Sequence, residues 1–135
     1  MDCIFCKIIS GEIPAEKIYE NGRVVVFLDI RPVNLGHALI VPREHHDIFL
    51  NTPLEAIDDI MRVAQKIASA IAEAVGADGF NLTLNNGAAA GQAIFHTHFH
   101  IIPRFMGDGL AHWPHKAYGS GEAGELAKKI RENLA

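Results

Sequence analysis

The sequence predicts an α+β fold: a mainly antiparallel five-stranded sheet with one long helix and a C-terminal helix. Three observations predict it. Two short apolar runs flank the turn signal Asn21-Gly22, as in a hairpin. One long helical repeat follows, from Leu54 to Val75. Alternation with period two then resumes on either side of a small-residue loop.

Lys17 to Glu20 and Arg23 to Asp29 are the hairpin strands, and Val24-Val25-Val26-Phe27-Leu28 has the β-branched, apolar makeup of a buried strand. Arg31-Pro32-Val33-Asn34-Leu35-Gly36 is a loop by its Pro, Asn and Gly content. His37 to Val41 resumes as a strand, stopped by Pro42. Thr52-Pro53-Leu54-Glu55 reads as a helix start, with Thr52 as N-cap, Pro53 at the first helical position and Glu55 completing a capping box. Leu54, Ile57, Met61, Ala64, Ile67, Ala68, Ile71 and Val75 then recur at helical spacing, and Gly76 ends the run. Phe80, Leu82 and Leu84 alternate with polar residues on a strand ending near Asn85. Ile94 to Ile102 is the last strand, and Leu126, Ala127, Ile130 and Leu134 mark the C-terminal helix. No repeat or linker interrupts the 135 residues. The expectation is one domain over 1–135, with its core in 3–114 and a tail and helix in 115–135.

Composition excludes several classes. The net charge of −4 gives no bulk attraction for nucleic acid or anionic membrane. No apolar run reaches the roughly 18 residues of a membrane span. The start, Met1-Asp2-Cys3-Ile4-Phe5-Cys6, lacks the pattern of a signal peptide, so a cytoplasmic location is expected. Two cysteines make no disulfide framework, and Cys3-x-x-Cys6 is a redox or metal spacing. The unusual count is eight histidines, three of them within five residues.

Those three are the decisive segment, His96-Thr97-His98-Phe99-His100. On a strand His96, His98 and His100 share one face, while Thr97, Phe99 and Ile101 share the other. Three imidazoles in a row bury poorly as packing, because each keeps a donor or acceptor to satisfy. A neutral imidazole is a nucleophile at pH 7, and its attack on phosphorus gives a phosphoramidate that water resolves. The preceding Asn85-Asn86-Gly87-Ala88-Ala89-Ala90-Gly91-Gln92 lets backbone N–H groups and amides approach an anion. A metal site of two histidines and a carboxylate would want an acid near the row, and none lies between Asp78 and Asp108. Phosphate chemistry is the better reading.

The stretch Gly91-Gln92-Ala93-Ile94-Phe95-His96-Thr97-His98-Phe99-His100-Ile101-Ile102 resembles the signature of the histidine triad (HIT) superfamily of nucleotide hydrolases and transferases. So do Ile4 to Pro14, Phe27-Leu28-Asp29-Ile30 with Pro32, and Gly36 to Pro42. The resemblance implies a homodimer whose sheets join, and a purine nucleotide substrate such as an AMP or GMP derivative. It makes His98 the nucleophile at the α-phosphorus, has His100 assist with phosphate oxygens and the leaving group, and has His37 orient the site. It assigns Asp29 to ribose hydroxyls, Ile4, Phe5, Ile8 and Ile30 to the base, and Asn85, Gly91, Gln92 and Ala93 to the phosphate and leaving group. Ala93 departs from the Ser or Thr common there, and Thr97 from an apolar position. Residues after the row mix the phosphoramidase-like and dinucleoside-polyphosphate-hydrolase-like branches.

Members of the family that begin with Cys-x-x-Cys carry structural zinc, and the matching ligands are Cys3, Cys6, His45 and His96. Two thiolates and two imidazoles form a closed tetrahedral set with no open position. No organic cofactor is implied. His46 is expected at the surface, and His112 and His115 have no assigned task. A rival reading is a nucleotide-binding regulatory protein with vestigial catalysis.

Overall fold

The run Val24–Leu28 is continuously apolar because the sheet is covered on both faces. In the computed structural model, which describes residues 2–134, five strands lie in the order β1-β2-β3-β5-β4, and every neighbouring pair is antiparallel. They are β1 (Lys17–Glu20), β2 (Val24–Leu28), β3 (Ala38–Pro42), β4 (Gly79–Leu84) and β5 (Phe99–Arg104). The long helix α2 (Leu54–Val75) covers one face, and a short helix α1 (Ile4–Ser10) covers the other. Alternation divides the core between them. Val24, Val26, Ala38, Ile40, Phe99 and Ile101 meet α2, whereas Val25, Phe27, Leu39 and Val41 meet Phe5 and Ile8 of α1. By the same parity His100, paired with Leu39, stands on the α1 face.

The α+β architecture matches the expectation, and several boundaries do not. The β1–β2 turn centres on Gly22-Arg23, because Asn21 already pairs back through its N–H to the Val24 carbonyl. The Asn21 side chain accepts from the N–H groups of Arg23 and Val24, and no positive φ is used there. Thr52 is not the N-cap of α2; Pro53 holds that position. The Thr52 hydroxyl instead donates to the Ile48 carbonyl at 2.7 Å. The buried stripe of α2 centres on Ile60, Val63, Ala64, Ile67, Ala68 and Ile71, while Leu54 is exposed. Ile60 and Val63 were outside the expected stripe, although they fit the same period.

The last strand begins at Phe99, not Ile94. Ahead of it the Thr97 N–H donates to the His46 carbonyl, away from the sheet ladder. The alternation of side chains persists even so. Thr97 is fully buried on the face opposite the imidazoles, and its hydroxyl lies 2.7 Å from that of Thr52. Since the Thr52 hydrogen goes to Ile48, Thr97 is the donor, which satisfies the one polar residue in an otherwise apolar series.

Helix α1 had no separate sequence signal. At seven residues it is too short to be stable alone, so packing and capping must hold it. Cys3 is its N-cap, and the Cys3 sulfur accepts from the Cys6 N–H. The C-terminal helix α3 (Glu122–Leu134) forms as expected, with Leu126 and Ile130 on the surface. Among the described residues no helix is long and apolar enough to cross a membrane.

Candidate functional site

A cleft of about 520 Å³ opens on the α1 face of the sheet. Ile4, Phe5 and Ile8 from α1 form one wall, and Asp29, Ile30 and Arg31 after β2 form the next. Gly91, Ala93 and Ile94 close the far side, with His98 and His100 on the floor. Of the candidate residues, Ile4, Phe5, Ile8, Asp29, Ile30, Gly91, Ala93, His98 and His100 line this one cavity. His37 lies behind the floor, 3% exposed, with Nε2 2.9 Å from His100 Nδ1.

The hydrogen bonds define which imidazole nitrogens carry hydrogen. The Val33 N–H donates to His37 Nδ1 at 3.0 Å, so the His37 hydrogen sits on Nε2 and is donated to His100 Nδ1. His100 therefore carries its hydrogen on Nε2, a buried atom with no partner among the described residues. His98 donates from Nδ1 to the His96 carbonyl at 2.7 Å, which leaves His98 Nε2 as a lone pair. Burial lowers the affinity of all three rings for a second proton: His37 and His98 below the ordinary range, and His100 to about 4, where the neighbouring His98 and His37 add to the effect. The floor of the cleft is thus a row of neutral imidazoles with one free nucleophilic nitrogen and one free N–H.

Asp29 stands at the edge of this row, Oδ2 3.7 Å from His37 Nε2, and its Oδ1 accepts from the Arg31 N–H. This carboxylate comes from the end of β2, far in sequence from the histidine row. Asp29, His37 and His100 bring ligand atoms close enough to suggest an ion site. The Val33 N–H argues for the relay instead, because it occupies the only lone pair that neutral His37 has.

Two expected contacts fall elsewhere. Gln92 is buried outside the cleft lining, where Oε1 accepts from the Gly87 N–H and Nε2 donates to the carbonyls of Asp47 and Ile94. Asn85 does not line the cleft either; its amide packs near Gly91. Gln92 shapes the small-residue loop, which the sequence did not show because its partners are backbone groups and one of them, the Asp47 carbonyl, is 45 residues away.

Beneath α1 lies a second cluster, Cys3, Cys6, His45 and His96, whose ligand atoms are all within 4.8 Å of one another. His96 Nδ1 is 3.5 and 3.6 Å from the two sulfurs, and His45 Nδ1 is 3.4 Å from Cys6 Sγ. A tetrahedral zinc site with bonds of about 2.3 Å to sulfur and about 2.0–2.1 Å to nitrogen has S···N edges of about 3.6 Å. The outward nitrogens are already committed: His96 Nε2 donates to the Pro42 carbonyl, and His45 Nε2 to Asp47. That fixes both Nδ1 lone pairs toward the sulfurs, as metal-binding histidines require. Burial, with Cys3 alongside, raises the Cys6 thiol above its ordinary range, so a cation at the centre would reverse the local preference for the protonated form. The donor set fits zinc.

Of the remaining histidines, His46 is half-buried, its side chain 19% exposed and its Nε2 buried. His112 and His115 are exposed on the segment that leads to α3.

Comparison with known proteins places the chain among related sequences and structures. A family model described as HIT domain matches residues 10–107. The chain is 43% identical to the adenylylsulfatase HINT3 of Arabidopsis thaliana over 139 residues, covering 98% of this chain and 70% of that protein. It is 38% identical to the adenosine 5′-monophosphoramidase HNT1 of Candida albicans, covering 98% and 91%. A zinc-bound histidine triad family protein from Mycobacterium smegmatis superposes with a TM-score of 0.79 at 39% identity, covering 99% of this chain and 96% of that one.

Proposed function

The chain belongs to the HIT domain family, and from that premise we propose that it is a nucleotide hydrolase. Its reaction is cleavage at the α-phosphorus of a nucleoside monophosphate derivative, with His98 as nucleophile. The observation that carries the reading is the His98–His96 hydrogen bond. It commits Nδ1 and leaves the Nε2 lone pair on the floor of a nucleoside-sized cleft.

Two displacements follow. In the first, His98 Nε2 forms a bond to phosphorus as the bond to the leaving group breaks; the leaving group departs with its electron pair, sulfate as the anion and an amine after taking a proton from solvent. The substituted ring becomes cationic, and its Nδ1–H strengthens toward the His96 carbonyl. In the second, water attacks phosphorus and gives up one proton to solvent, the N–P bond breaks, and its electron pair returns to Nε2. His100 Nε2–H, held by the relay from His37, donates to a phosphate oxygen in both steps. Asp29 accepts from the ribose hydroxyls, and Ile4, Phe5, Ile8 and Ile30 take the faces of a purine such as that of AMP or GMP.

Zinc held by Cys3, Cys6, His45 and His96 would crosslink α1 to the sheet and supply no reacting group, since four protein ligands close the coordination shell. A second copy joining at the open edge of β4, where Phe80 and Leu82 are exposed, would extend the sheet into a dimer. The two relatives' activities, on adenylyl sulfate and on an adenosine phosphoramidate, support a nucleotide substrate.

Rapid quenching with either substrate, followed by mass spectrometry, should find a nucleotidyl group on the peptide that contains His98. His98→Ala should yield neither adduct nor product, and wild-type turnover by that variant would refute the mechanism. The regulatory reading has one observation in its favour: the wall at Ala93 carries a methyl group where a hydroxyl would donate to a leaving group. Tight AMP binding with no product from any ester would establish it.

A further inference from the structure

We propose that the Cys3–Cys6–His45–His96 centre is a clasp for α1, holding Phe5 against His98, so that metal occupancy and nucleotide affinity are coupled. The inference rests on reading the cleft as a nucleotide site. It concerns what the metal does there, beyond stabilising the fold.

The argument begins with how weakly α1 is otherwise attached. Among the described residues, the backbone hydrogen bonds at its ends stay within 3–13: Lys7 to Cys3, Gly11 to Ile8 and Ile13 to Lys7. None of these reaches the sheet. A seven-residue helix has no stability of its own, so α1 depends on the packing of Phe5 and Ile8 and on its thiols. The thiols sit at its N-cap, Cys3, and in its first turn, Cys6. The other two ligands come from just beyond β3 and just before β5. One ion therefore joins three segments of chain at the base of the cleft wall.

The wall touches the nucleophile directly. Phe5 is edge-on to His98 at 4.9 Å between ring centroids, to His96 at 6.0 Å and to Phe27 at 5.5 Å. Ile4 and Ile8 flank it in the cleft lining. On the opposite side, His96 carries both a ligand nitrogen and the carbonyl that orients His98. Release of the metal would free α1, open the wall and remove the ring that packs on His98. Sheet strands β2 and β3 and helix α2 keep their own core on the far face. Linkage is reciprocal: if zinc tightens nucleotide binding by some factor, nucleotide tightens zinc binding by that factor.

The test uses the full chain, zinc-loaded and after dialysis against a chelator, with AMP as the probe. Hydrogen exchange should show that zinc removal exposes the amides of Ile4–Ser10 while those of β2, β3 and α2 stay protected. AMP affinity should fall about tenfold or more, and zinc affinity, measured against a chromophoric chelator, should rise by the same factor with saturating AMP. Phe5→Leu keeps all four ligands, so it should bind zinc as before and lose the coupling. The proposal is overturned if α1 exchange is unchanged, if the whole fold is lost with the metal, or if AMP affinity shifts less than twofold. Retention of full coupling by Phe5→Leu would also overturn it. Failure of AMP to bind the zinc-loaded protein would overturn both the proposed substrate class and the coupling, whereas the exchange data alone judge the attachment of α1.

Discussion

His98 donates its Nδ1 hydrogen to the carbonyl of His96 at 2.7 Å, and His96 points its own Nδ1 at two cysteine sulfurs. Neighbouring members of one histidine row therefore belong to two sites, joined by a single peptide segment. His100 belongs with His37, through a bond that crosses from β5 to the residue just ahead of β3.

That second pairing predicts non-additive kinetics. His100→Asn should lower kcat by about 10²–10³-fold, the range for losing one positioned hydrogen-bond donor to the transition state. His37→Phe should lower it less, because His37 acts through His100. The double variant should then be no slower than His100→Asn alone within about threefold. Initial rates with adenylyl sulfate give all three values. Losses that multiply in the double variant would mean that His37 contacts the substrate independently.

The pH dependence of stability has a definite sign. Burial, followed by the neighbouring His98 and His37, holds folded His100 at about 4, against an ordinary value of about 6.5 in the unfolded chain. Between these values the unfolded chain binds more protons than the folded protein, so stability rises with pH across this window and falls as pH drops from 6.5 toward 4. His100→Asn removes that contribution. Its urea-derived stability should therefore decline less than the wild type's between pH 6.5 and 4.5, and parallel curves would contradict this account.

The histidine row was legible because its information is local: period-two spacing sets the face, and imidazole chemistry sets the role. Asp29 was legible by resemblance only, since nothing in its local sequence indicates that the β2–β3 pairing sets it opposite His37. The strand boundary at Phe99 was not legible, because Thr97 leaves the ladder for the carbonyl of His46, which is fixed by the loop after β3. Helix α1 was hidden for a different reason. Two turns are too short to display a period, and its cap is a cysteine sulfur in place of the usual oxygen. Gln92 misled in a third way: an amide beside a glycine-rich loop suits a phosphate, yet here it satisfies three backbone groups.

The role of Gln92 yields a stability prediction. Gln92→Leu keeps side-chain bulk and strands the Gly87 N–H and the carbonyls of Asp47 and Ile94 near a buried position. Leaving such groups unpaired costs about 1–3 kcal/mol each at most, reduced where water reaches them. A loss of about 2 kcal/mol in urea unfolding is expected. A variant as stable as wild type, with only the KM raised, would instead make Gln92 a substrate contact.

Gly36 offers the last prediction, because it couples packing to the site through one residue. Its φ is +96°, in the region that L side chains rarely adopt. A Cβ there would meet Val75, Pro103 and Ile71 at 3.1, 3.2 and 3.3 Å, so α2 and β5 both press on this point. The next residue is His37, whose Nδ1 must stay 3.0 Å from the Val33 N–H to keep the relay tautomer. Gly36→Ala therefore combines backbone strain of about 1–3 kcal/mol with crowding on two sides. Relief by moving the 33–37 turn would lengthen the Val33–His37 bond and release the His37 tautomer. The variant should be less stable by at least about 1 kcal/mol and lose kcat beyond its loss of folded fraction at 25 °C. Gly36→Ala that is destabilised but fully active per folded molecule would show that the relay tolerates movement of this turn.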